Sequence, residues 1–121
     1  MLGELKDVSQ HEDAPGKRRW FADEEMDLIV WYSKTGEIIG FELCYDKGGD
    51  EHALTWRKGG RLGHSAVDQG DALPTDNRTP ILTSGGKVPL ERVLSEFTAR
   101  SADLEPNIAR LVLEELHSFG R

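Results

Sequence analysis

Three short, glycine-containing connections, Ser33-Lys34-Thr35-Gly36, Asp46-Lys47-Gly48-Gly49 and Lys58-Gly59-Gly60, separate four strand-like stretches and limit what this chain can fold into. A connection of about two to four residues can only turn an extended chain back on its neighbour, since a parallel crossover takes about a dozen residues or more. The stretches joined, Met26 to Ser33, Glu37 to Tyr45, Glu51 to Arg57 and Arg61 to Asp68, carry the β-branched, aromatic and alternating residues of strands. An antiparallel meander follows. Arg19 to Ala22, ahead of the acidic turn Asp23-Glu24-Glu25, is a further short strand candidate, and Ile81-Leu82-Thr83 behind Pro80 is a candidate edge strand.

The periodicity then changes. Leu90, Val93, Leu94 and Phe97 share one helical stripe opened by Pro89. Ile108, Leu111, Val112, Leu116 and Phe119 form a second stripe, with Asp103 placed to cap the helix, Pro106 tolerated in its first turn and Gly120 ending it. Both stripes need an apolar surface to cover. The expected fold is therefore α+β: an antiparallel meander sheet of four to five strands followed by two C-terminal helices packed on one face. The 121 residues make one domain. Residues 1–17, poor in large apolar side chains and ending at Ala14-Pro15-Gly16, read as a flexible N-terminal tail, leaving 18–121 as the domain.

Register decides which residues each face presents, because a slip of one residue turns a whole strand over. Four-residue loops at 33–36 and 46–49 and a two-residue turn at Gly59-Gly60 put the rows Val30/Ile39/Trp56, Leu28/Phe41/Leu54/Ser65 and Met26/Leu43/His52/Val67 on the core face. A three-residue loop closed by a bulge at Gly36 is the alternative and would send Ile29 and Trp31 to the core. In the first register the second face carries the row Trp31, Ile38, Arg57 and Leu62, followed by Ile29, Gly40, Thr55 and His64. Leaving Ile29, Trp31 and Ile38 in water forgoes about 2 kcal/mol of burial each, so a cover is expected. That cover is the chain itself, a second copy, or a binding partner. Trp and Arg are the residue types that most often dominate contact energy, and Trp31 beside Arg57 is placed for a cation–π contact.

Charge and motifs narrow the function classes. A formal net charge of −7 argues against general affinity for nucleic acid or anionic membrane, with Lys17-Arg18-Arg19 and Arg57-Lys58 with Arg61 as local exceptions. The longest apolar run, Leu28 to Tyr32, is too short to span a bilayer, and the first residues lack the pattern of a secretory signal. With one cysteine, Cys44, the chain is expected in the reducing cytoplasm. Gly63-His64-Ser65-Ala66-Val67 lacks the second glycine of a nucleophile elbow, and Thr83-Ser84-Gly85-Gly86-Lys87 lacks the first glycine and the hydroxyl of a phosphate loop. His11, Cys44, His52, His64 and His117 show no metal-ligand spacing, and His52 and His64 fall on opposite faces in the first register. No catalytic set, metal or cofactor is expected.

The segments Arg18-Arg19-Trp20-Phe21, Asp27-Leu28-Ile29-Val30-Trp31, Gly40-Phe41-Glu42-Leu43-Cys44-Tyr45-Asp46 and Leu54-Thr55-Trp56 resemble a small family of bacterial conserved hypothetical proteins over residues 18–120. That resemblance implies an α+β fold in the bacterial cytosol and brings no activity with it. Two functions remain in view. One is a non-enzymatic protein-binding or assembly module, a homodimer or the accessory of another protein, acting through Trp31, Ile38, Arg57, Leu62 and His64. The other is a small ligand-binding domain or enzyme with a pocket between the sheet and the 70–88 connection, using His64, Arg57 and Asp68.

Overall fold

The short connections between residues 27 and 68 reverse the chain, and strand order in space equals strand order in sequence throughout the sheet. The computed structural model describes residues 1–6, 16–68, 81–84 and 87–119. Its elements are β1 (Gly3–Glu4), β2 (Arg18–Ala22), β3 (Asp27–Tyr32), β4 (Ile38–Tyr45), β5 (His52–Arg57), β6 (Gly63–Asp68), β7 (Ile81–Ser84), α1 (Leu90–Arg100) and α2 (Pro106–Phe119). All seven strands form one sheet, each antiparallel to the next. The α+β meander with two C-terminal helices is as expected. The strand count is higher than four to five because Gly3–Glu4 and Ile81–Ser84 add both edges.

The first of these edges lies within residues 1–17, the stretch expected to be a tail: Gly3 and Glu4 pair with Ala22 and Phe21. Leu2 is wholly buried, its N–H donates to the Arg100 carbonyl at 3.0 Å, and Glu4 forms a two-bond ion pair with Arg19. Residues 7–15 lie outside the described residues.

Register departs from expectation at each hairpin, for local reasons. The β3–β4 connection is the three-residue form, with Gly36 at φ 88° and the Ser33 N–H bonded to the Glu37 carbonyl at 2.7 Å. A second irregularity between Trp31 and Tyr32 leaves Ile39 as an extra residue, so that Tyr32 pairs with Ile38 and Trp31 with Gly40. Two odd shifts make an even one. Leu28, Val30, Phe41 and Leu43 therefore keep the core face, while Ile38 moves to the core side and packs against it. The β4–β5 loop is longer than four residues and shifts pairing by two, giving Leu43 opposite Leu54 and Tyr45 opposite His52. The β5–β6 turn adds Arg61 and Leu62, and here the slip is odd: Leu54 faces His64 and His52 faces Ala66. That turns β6 over, placing Ser65 and Val67 on the second face.

Both helices cover the core face. Val93 and Phe97 of α1 and Ile108, Val112 and Leu116 of α2 join Leu28, Val30, Phe41, Leu43 and Leu54 in one buried cluster. The helix ends are tied to the sheet by ion pairs: Arg92 of α1 to Asp46 after β4, Arg100 to Asp23 after β2, and Glu105 before α2 to Arg19. Helix α2 starts at Pro106, where the missing N–H costs nothing, and the N–H groups of Ile108 and Ala109 bond the Glu105 carbonyl. Asp103, expected as the cap, lies two residues short of the capping position and is exposed. Among the described residues no helix is long and apolar enough to cross a membrane.

Candidate functional site

Among the described residues, seven strands and two helices leave one sheet face without a helix. Its register rows are Arg18/Trp31/Gly40/Arg57, then Trp20/Ile29/Glu42/Thr55/Gly63, then Ala22/Asp27/Cys44/Ala53/Ser65. In the first row the Arg57 guanidinium lies 4.5 Å from the Trp31 ring centre, and Arg18 lies 5.8 Å from the Trp20 ring. Gly40 allows this arrangement. A Cβ at that position would stand 2.8 Å from the Trp56 carbonyl and 3.0 Å from Cε3 of Trp31, so the indole lies across bare backbone. Gly40→Ala is expected to cost about 1–3 kcal/mol through this overpacking, read as a lowered urea midpoint at unchanged slope.

The polar groups of the face are largely engaged. Thr55 Oγ1 donates to Glu42 Oε1 at 3.0 Å, and Lys47 pairs with Asp27 at 2.9 Å. Cys44 is buried beside Glu42, and that burial, with the nearby carboxylates, pushes its thiol well above the usual range, which disfavours a reactive thiolate. The Trp20 indole N–H is buried and has no hydrogen-bond partner among the described residues.

Of the residues expected on this face, Trp31 and Arg57 are there, and the cation–π contact between them is formed. Ile38, Leu62 and His64 are not. Ile38 was carried to the core side by the bulge, and Leu62, 7% exposed, falls back into the core, on a groove of about 500 Å³ with Gly60, Arg61, Glu115, Ser118 and Phe119. His64 was turned over with β6. Arg18 and Trp20 join the face instead. Their alternation with Arg19 and Phe21 was the sequence signal for it.

The overturned β6 creates a second cluster, which the expected register hid. Tyr45, His52 and His64 lie with near-parallel rings, 5.0 Å between the two imidazole centres, and the Tyr45 hydroxyl is 2.6 Å from His64 Nε2. His52 Nδ1 donates to the Asp50 carbonyl at 2.8 Å, and Arg92 lies 5.8 Å from the Tyr45 ring. Burial pushes the Tyr45 hydroxyl up to about 12, which keeps it a neutral donor. His52 and His64, expected on opposite faces, are thus neighbours on the helix side. Arg57 is on the other face from His64, so the trio His64, Arg57 and Asp68 does not converge. The 69–80 part of the connection, and the Asp68 side chain, lie outside the described residues. Among the described residues no three His, Cys, Asp or Glu side chains gather as a metal ion would need.

No protein-family model matches the chain, and no curated protein or solved structure matches it either.

Proposed function

We propose that this chain is a non-enzymatic protein-binding module, bacterial and cytoplasmic as its sequence resemblance implies, acting through the helix-free face of its sheet. The observation that carries this reading is the row Arg18, Trp31, Gly40 and Arg57, with a guanidinium held over an indole on a face neither helix covers. Trp and Arg supply contact energy at small entropic cost when already held in place, which is what the cation–π contact does for Arg57. The face is not a bare apolar patch. Ile29 and Trp31 are half-buried, which suits an interface that is exposed until its partner arrives.

The test is a Trp31→Ala, Arg57→Ala double variant of the full chain, with folding checked by circular dichroism and self-association followed by sedimentation equilibrium alongside partner capture. Partner affinity, or self-affinity, is expected to fall at least about tenfold, as for loss of one hot spot. Unchanged affinity in the folded variant would remove the face from function. A second reading, a small ligand-binding domain, draws support from the Tyr45, His52 and His64 cluster; it makes binding depend on those residues and not on Trp31.

A further inference from the structure

We infer that the partner presents an acidic, extended segment, laid across the strands along the row Arg18, Trp31, Gly40 and Arg57. This rests on the reading of the helix-free face as the binding surface, and adds what the surface selects.

The chain is acidic as a whole, yet the fold sorts its charge along the strand direction. At the end of the sheet where β2 begins, β3 turns into β4 and β5 turns into β6, residues 16–20, 30–40 and 55–64 hold seven Lys and Arg and one carboxylate, Glu37, which is bonded to Lys58. At the opposite end, residues 22–27 and 44–52 hold seven Asp and Glu and one cation, Lys47. The two basic stretches, Lys17-Arg18-Arg19 and Arg57-Lys58 with Arg61, are far apart in sequence, and pairing brings Arg18 and Arg57 into a single row three strands apart, about 14 Å at ordinary strand spacing. Arg19 points to the helix side and is taken by Glu4 and Glu105. Lys34, Arg57 and Arg61 are exposed and have no carboxylate partner among the described residues.

Arg57 is the best-prepared member. With one face of its guanidinium against Trp31, its N–H edge remains available for a carboxylate in the bidentate geometry that arginine favours. A single-stranded nucleic acid fits less well, for two reasons. Arg57 already occupies the Trp31 ring face on which a base would stack, and seven carboxylates at the far end of a chain of net charge −7 repel a long polyanion.

The experiment is a set of amide and indole chemical-shift titrations of the full chain with three probes: a decapeptide of alternating Glu, Asp and Leu, its Gln/Asn analogue, and a ten-nucleotide oligo-dT. The acidic peptide alone is expected to move the Trp31 indole, Gly40 and Arg57 signals, with affinity lowered about tenfold or more in Arg18→Gln, Arg57→Gln and falling with added salt. Equal shifts from the neutral analogue would overturn the acidic preference and leave the face reading standing. Tighter binding of oligo-dT would overturn it in favour of nucleic acid, and movement of the same signals on diluting the protein alone would overturn it in favour of a second copy. Peptide-induced shifts confined to Tyr45, His52 and His64 would sink both the inference and the face reading.

Discussion

Replacing Asp23 by alanine is expected to lower stability by about 3 kcal/mol, the scale on which a buried ion pair is lost by removing one partner. The side chain is 3% exposed and makes four contacts at once: it accepts from Arg100 Nη1 at 2.7 Å and from the backbone N–H groups of Glu25 and Met26, both at 2.8 Å, and it pairs with the Met1 amino group at 3.2 Å. Removing it leaves two turn N–H groups without their acceptor and unties the C-terminal end of α1 from the β2–β3 turn. Burial alone would raise the carboxyl pKa; Arg100, the two backbone donors and the Met1 amino group outweigh it and hold the group well below the usual carboxylate range. Because the folded value lies below the unfolded value near 4, the contribution is present above about pH 4 and is lost as the pH falls below it. Urea unfolding at pH 7 and at pH 3 checks both statements. The difference between wild type and Asp23→Ala should be large at pH 7 and narrower at pH 3; a difference that is small at pH 7, or that does not narrow, contradicts them.

Phe97→Ala should cost about 3–5 kcal/mol, the range for deleting a fully buried aromatic ring whose cavity the surroundings cannot close. Phe97 has no exposed surface and belongs to the cluster that joins α1 to Leu28, Phe41, Leu43 and Leu54 of the sheet and to Val112 of α2. Leu94, on the same helix but half-buried, should cost clearly less when cut to alanine. Thermal and urea midpoints measure the contrast. Equal small losses at both positions would mean that α1 does not seal the core face.

How much of this was legible in the sequence depends on parity. Alternation in β3, β4 and β5 assigned Leu28, Val30, Phe41, Leu43 and Leu54 to one face, and those assignments survived because the shifts in the first two hairpins were even in sum. The bulge at Ile39 leaves no sequence mark stronger than Gly36 itself, so alternation alone puts Ile38 on the wrong side. In the β5–β6 turn the pair Gly59-Gly60 drew the turn too tight. Leu62 preferred the core to continuing the strand, and the one-residue slip in pairing turned His64 from the second face toward Tyr45 and His52. Trp31 and Arg57 were legible because they sit before and after these irregularities on strands whose parity was right. Arg18 and Trp20 were visible as alternating residues, but only pairing with β3 puts them in the same rows as Ile29 and Trp31. Leu2 is one buried side chain, which composition averages away, and the pairing of Glu4 with Arg19 joins residues that sequence distance separates.

The most direct measurement is photo-crosslinking from defined positions of the full chain in cells. p-Benzoylphenylalanine is placed singly at Thr55 or Ser65 on the helix-free face, and at Arg110 or Glu114, which are exposed on α2. A discrete protein adduct from Thr55 and Ser65, absent from Arg110 and Glu114 and lost with Arg57→Gln, is the result expected of a binding face. Adducts from the α2 positions alone would place the working surface on the helices and contradict it.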